Sequence, residues 1–263
     1  MKVAVFAVPG ALLDTEISDE GGHPVVQLHG LTSSRSRDRV LDLDLGRGLS
    51  GTRLLRYDAR AHGHSTGRKQ PEDYRWSSLA DDLLALLDEV FPGERVHGVG
   101  PSMGCGTLLH AAVKDPDRFS SFTLMVPPTA WETRAARADA YLAQADFVEK
   151  EGVEAFVAAG RLIPRPPAQS GSPETVPQIT EELLPWVLRG AALANFPDRA
   201  DVAGIAVPTT ILGWTDDPAH PLSTAESLVQ LMPDATLRVA ATPAQLQTWP
   251  QVLARDVARA TAL

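Results

Sequence analysis

The sequence predicts an α/β fold: a mostly parallel central sheet flanked by helices. Two observations carry the prediction. Short runs rich in β-branched residues alternate with longer segments of helical period, and Gly/Pro punctuation falls between them. The length, 263 residues, fits one large fold with an inserted subdomain as well as it fits two modules.

The elements follow in order. Residues 2–8 and 12–18 read as strands joined at Pro9-Gly10, residues 25–28 as a third strand ending in His29-Gly30, and residues 54–57 as a fourth. Between residues 76 and 91, Leu79, Leu83, Leu86, Leu87 and Val90 recur at three- and four-residue spacing, the stripe of a helix packed on a sheet, and Pro92-Gly93 stops it. A strand over residues 95–99, a helix over 103–113 and a strand over 122–126 come next. After Thr129 the texture changes. Alanine-rich helical stretches (135–149, 153–159 and 181–193) surround a proline-rich link over 163–177, with no convincing strand. The strand pattern then resumes at 209–212 and 236–239, with helices at 224–231 and 244–260. The expected division is therefore a core of residues 1–130 and 200–263 with a helical insertion at 131–199.

Composition narrows the function. With 44% hydrophobic and 22% charged residues the chain is an ordinary globular one. Its 24 Lys and Arg against 33 Asp and Glu leave a formal charge of -9, which repels phosphate backbones and anionic headgroups, so neither nucleic acid nor a membrane surface is an expected partner. No apolar run approaches the roughly 20 residues needed to span a bilayer. One cysteine, Cys105, cannot form an internal disulfide, and no leader pattern is visible, so a cytoplasmic location is expected. No Cys/His ligand cluster, Walker loop or dinucleotide fingerprint appears, so no metal or cofactor is expected.

The chemistry-bearing motif is Gly100-Pro101-Ser102-Met103-Gly104, a G-x-S-x-G pattern between an expected strand and an expected helix. That context matters, because the motif works by presenting a serine hydroxyl on a sharp strand-to-helix turn. Side chains at the two glycines would crowd the turn, and the following helix points free N–H groups toward the serine. Cys105, three residues further on, reads as a small buried packing residue.

With this elbow in place, the chain resembles the α/β-hydrolase fold family nearly end to end. His29-Gly30-Leu31-Thr32 is similar to the family's H-G-x loop, and residues 57–65, Tyr-Asp-Ala-Arg-Ala-His-Gly-His-Ser, to its D-x-R-G-x-G-x-S segment. The resemblance implies that residues 131–199 form a lid over Ser102, that the backbone amides of Leu31 and Met103 form an oxyanion hole, and that Asp217 supplies the catalytic acid, with Asp216 its close rival. Trp131 and Trp186 in the insertion, and His29 beside the oxyanion loop, are candidates for the substrate-facing wall. His29 also suits bracing of that loop by a hydrogen bond. Tyr141, Phe147, Phe156 and Leu183 belong with the insertion's apolar residues, which could line a pocket or form the insertion's own core.

One part of the pattern is missing. The family places its general base, a histidine, just after the last strand, and this chain has Ala240-Ala241-Thr242-Pro243 there. Among the seven histidines, His220 is the best substitute, because it sits three residues beyond Asp217 on a loop expected to flank the site. His29, His62 and His64 are weaker candidates, His97 and His110 read as packing residues, and His23 starts a strand too early. Two groups so close on one loop need not align with Ser102 together, so Glu132 stands as an alternative acid. The expected function is a serine hydrolase acting on a small or medium apolar ester, thioester or lactone, with a non-standard base. A catalytically inactive binder of a hydrophobic small molecule and a lyase or cyclase using the same pocket are the alternatives.

Overall fold

The computed structural model describes residues 2–260. Its strands are β1 (Lys2–Val8), β2 (Ala11–Asp19), β3 (Pro24–Gln27), β4 (Arg53–Tyr57), β5 (Val96–Pro101), β6 (Phe119–Met125), β7 (Thr209–Trp214) and β8 (Ala235–Ala240). They form one sheet in the order β1-β2-β4-β3-β5-β6-β7-β8. β2 pairs antiparallel with β1 and β4, and every other neighbouring pair is parallel. The helices are α1 (Arg35–Val40), α2 (Trp76–Val90), α3 (Met103–Lys114), α4 (Arg134–Gly160), α5 (Leu184–Ala192), α6 (Arg199–Ala203), α7 (Leu222–Leu231), α8 (Pro243–Leu246) and α9 (Trp249–Ala260).

The central strands are buried on both faces, which is why they read as continuous apolar runs. Successive residues point to opposite sides. Val26, Leu55, Leu124 and Ile211 join a core beneath α2 and α3, whereas Val25, Leu54, Met125 and Leu212 join a second core with Trp249 and Leu253 of α9. The α2 stripe read from the sequence is realised, with Leu79, Leu83, Leu86 and Leu87 all buried.

Helix α3 approaches α2 at Gly106, where an added Cβ would fall inside the Trp76 indole. Gly106→Ala is therefore expected to destabilise the fold by about 1–3 kcal/mol through overpacking. The check is a lower urea midpoint with an unchanged m-value.

Two local expectations differ from the structure. The single final helix is broken into α8 and α9, because Pro250 has no N–H to continue a helical ladder and is tolerated only in the first turn of a new helix. Helix α1, capped by the Ser34 side chain on the Arg37 amide, was not anticipated, since its six residues are too short to show an apolar period. Between β6 and β7 the chain forms α4, α5 and α6, and α4 is interrupted at Gly152 (φ 84°).

Candidate active site

The loops following β3, β5 and β7 meet at the carboxyl ends of the parallel strands, where α/β sheets place ligands. Ser102 sits between β5 and α3 with φ 51° and ψ −106°, a conformation that costs energy for any residue with a Cβ. Its neighbours make the turn possible. A Cβ on Gly100 would lie 2.9 Å from the Leu28 Cβ and 3.3 Å from the Gly104 Cα, and one on Gly104 would lie 3.1 Å from the Leu28 Cβ. The Ser102 amide donates to the Met125 carbonyl at 2.9 Å, pinning the elbow to β6.

His220 Nε2 lies 2.9 Å from Ser102 Oγ, and His220 Nδ1 lies 2.7 Å from Asp217 Oδ2. Asp217 also accepts from Trp214 Nε1 at 2.9 Å and from the Ala219 amide at 2.8 Å. Burial by itself would raise the Asp217 pKa, but the hydrogen bond and charge of His220, with these two donors, hold it down to about 2. An ionised carboxylate can only accept, so Nδ1 carries the imidazole proton and Nε2 is left to accept from the serine hydroxyl.

Asp217 and His220 lie on one turn closed by the His220 amide donating to the Asp217 carbonyl at 3.1 Å. Two groups so close on one loop need not align with Ser102 together, but here the turn brings the side chains at i and i+3 to the same side. The Trp214 ring, edge-on to His220 at 5.9 Å between centroids, backs the imidazole. Thr242, where the family pattern has its histidine, instead caps α8 by accepting from the Gln245 amide.

The loop after β3 lies against the elbow, since a Cβ on Gly30 would sit 3.8 Å from the Ser102 Cβ. Leu31 lines the cleft, and Met103 opens α3 with an N–H that has no intrahelical acceptor. Two histidines brace this region. His29 Nδ1 donates to the Gly30 carbonyl and its Nε2 accepts from the Ala59 amide, while His62 Nε2 accepts from the Thr32 amide and its Nδ1 donates to the Arg60 carbonyl. Each Nε2 accepts from an amide, as only a neutral ring can, and burial pushes both pKa values down, that of His62 to about 3. Behind them the Arg60 guanidinium forms a buried two-pronged pair with Asp82, tying the loop after β4 to α2.

The cleft over Ser102 encloses about 310 Å³. Its walls include Leu31, Arg137, Tyr141, Gln144, Phe156, Gln169, Leu188 and Trp214. Among the described residues no group of three or more His, Cys, Asp or Glu side chains is arranged to hold a metal ion, and no helix is long and apolar enough to cross a membrane.

A family model described as alpha/beta hydrolase fold matches residues 23–147. The chain has the α/β-hydrolase fold. A Bacillus subtilis protein provisionally named 2-succinyl-6-hydroxy-2,4-cyclohexadiene-1-carboxylate synthase is 29% identical over 154 residues, 56% of this chain and 54% of that protein. The chain thus spans about half the length of that relative. The 3-oxoadipate enol-lactonase 1 of Acinetobacter baylyi is 28% identical over 68% of this chain and 66% of its own length. Among solved structures, the enol-lactonase from Burkholderia xenovorans LB400 superimposes with a TM-score of 0.76 at 22% identity, covering 99% of this chain and 100% of that one.

Within this hydrolase fold, several residues singled out from the sequence lie away from the cleft. His29 is buried behind the loop after β3 and does not line the cleft. Trp131 packs edge-on against Phe196, donates to the Pro197 carbonyl and lies under the Arg199 guanidinium. Trp186 packs with Leu184 and Val187 of α5 in the insertion's own core. Neither residue lines the cleft. Glu132 is paired with Arg199 at the surface, and Asp216 is exposed at φ 58°. Cys105 is buried, its thiol pKa raised by burial. Arg137, Gln144, Gln169 and Trp214 were not anticipated, although Arg137, Tyr141 and Gln144 at i, i+4 and i+7 share one face of α4.

Asp38 borders the cleft from α1, and its Oδ1 accepts from the Ser33 hydroxyl at 2.5 Å. Burial outweighs that bond and the charge of Arg37, raising the pKa to about 7. The unfolded chain releases this proton near the ordinary value of 3.8 while the folded protein keeps it to about 7, so stability falls as pH rises across that window. Asp38→Asn keeps an acceptor for Ser33 and removes the penalty. Its urea midpoint is expected to gain on wild type between about pH 4 and pH 7 and to hold a constant difference above.

Proposed function

We propose that the protein is a serine hydrolase that cleaves a carboxylic ester, thioester or lactone of small or medium, largely apolar character. The single observation supporting this most directly is the unbroken hydrogen-bond chain Asp217–His220–Ser102 at a strained elbow. The relatives named as enol-lactonases act in the same reaction class.

In this reading Ser102 Oγ attacks the carbonyl carbon as His220 Nε2 takes the hydroxyl proton, and Asp217 stabilises the imidazolium. The amides of Leu31 and Met103 hold the oxyanion, each worth about 3–4 kcal/mol to the transition state. The carbonyl reforms as the bond to the leaving oxygen or sulfur breaks, and that atom takes the proton from His220 Nε2. Water then gives a proton to His220 Nε2 as it attacks the acyl carbon, and that proton passes to Ser102 Oγ as the acyl–oxygen bond breaks and the acid is released. Residues 131–199 serve as a lid whose α4 and α5 supply Tyr141 and Leu188 as the roof of the cleft.

The test joins labelling to product analysis. A fluorophosphonate probe is expected to modify Ser102, and hydrolysis of a simple ester in isotopically labelled water to place solvent oxygen in the acid. Labelling at another residue, or none in folded protein, would refute the reading. A second reading has its own observation, the match to a relative named as a cyclohexadiene carboxylate synthase. Turnover that depends on Ser102 without solvent oxygen in the product would favour elimination by the same serine and histidine. The non-catalytic reading rested on the histidine missing after β8, and His220 supplies an imidazole from the β7 loop instead.

A further inference from the structure

The cleft is apolar around Ser102 but not at its far wall. Arg137, Tyr141 and Gln144 project from one face of α4, with the Arg137 guanidinium 4.7 Å from the Tyr141 ring centroid. Arg137 Nε is buried and has no hydrogen-bond partner, and the guanidinium enters no ion pair among the described residues. Its helix neighbour Arg134 behaves differently, donating to the carbonyls of Ala191 and Ala194 at 2.6 and 2.7 Å. A second buried donor lining the same cleft, Gln169 Nε2, also lacks an acceptor.

Two orphaned nitrogen donors and one unpaired positive charge in one cavity call for a group that is all acceptor and carries negative charge. The surroundings fit that sign. Asp38, the other carboxyl on the cleft, forms no ion pair with Arg137 among the described residues, and burial raises its pKa to about 7. Asp38 also borders a second, small space with Arg35. Outward, the cleft joins a groove of about 490 Å³ through Thr32, Arg37, Phe156 and Gln169, and that groove adds Arg161 and Arg165 against a single acid, Glu174. On a protein of net charge −9 this cationic lining is local, not a property of the whole surface.

We propose that the acyl part of the substrate ends in a carboxylate held by Arg137 and Gln169, with the scissile carbonyl at Ser102. The inference rests on the hydrolase reading for its chemistry but concerns recognition. It makes the substrate an ester or lactone with an apolar middle and an anionic end.

The probes are the monomethyl esters of glutaric, adipic, pimelic and suberic acids, each paired with the neutral methyl alkanoate of equal length. At the best length, kcat/KM is expected to favour the carboxylate ester about tenfold or more. That ratio is expected to fall about tenfold in Arg137→Gln, to recover in part in Arg137→Lys, and to shrink as salt is added. A wild-type ratio near unity, or one unchanged in Arg137→Gln, overturns the proposal. Calorimetric binding of the same pairs to Ser102→Ala gives a readout independent of turnover. A binding preference that Arg137→Gln abolishes, without hydrolysis in wild type, would sustain the subsite and refute the hydrolase reading. Hydrolysis without any preference would do the reverse.

Discussion

His220→Ala is expected to lower kcat for a simple ester about a millionfold. Ser102 Oγ has the imidazole Nε2 at 2.9 Å, within reach to act as its base, and among the described residues no other histidine lines the cleft to replace it. His29 and His62 are held in backbone hydrogen bonds, and His97 is locked between Ser121 and Thr123. A serine hydroxyl without a base is almost wholly protonated at neutral pH. Residual turnover would come from the oxyanion amides and from binding. Steady-state kinetics and fluorophosphonate labelling of the folded variant provide the check, and activity within tenfold of wild type would remove His220 from the mechanism.

Asp217→Asn is expected to cost about ten-thousandfold in kcat, less than loss of the base but far more than loss of one hydrogen bond. The carboxylate accepts from His220 Nδ1, Trp214 Nε1 and the Ala219 amide. An asparagine amide presents a donor on one side, so His220 is no longer held as the tautomer with Nε2 free. The variant thus keeps its fold and its base but presents the wrong nitrogen to Ser102. Asp216→Asn and Glu132→Gln serve as controls: both carboxylates lie outside the cleft, and turnover is expected to stay close to wild type. A large loss in either control, with Asp217→Asn active, would move the acid elsewhere.

Much of the fold was legible because its signals are local. The β-branched runs, the α2 stripe and the Pro92-Gly93 stop act over a few residues, and the structure realises them. Helix α1 escaped because its six residues, five of them charged or polar, show no period, and the split between α8 and α9 turned on one proline at a helix start. The wall of the cleft was harder to read. Trp131 and Trp186 are the largest apolar side chains in the insertion, and size alone suggested a substrate surface. They are spent instead on packing against Phe196 and within α5, while Arg137 and Gln144, outwardly ordinary solvent-facing residues, turn inward.

The amino-acid order by itself determined the alternation of strands and helices, the glycine-flanked turn that exposes Ser102, and the absence of a histidine after β8, since each depends on residues adjacent in the chain. Only the tertiary structure decided which imidazole meets that serine. The two side chains are 118 positions apart and are carried on different parallel strands. Their meeting depends on the sheet order that sets β5 and β7 on either side of β6, and on a turn that aims Asp217 and His220 together.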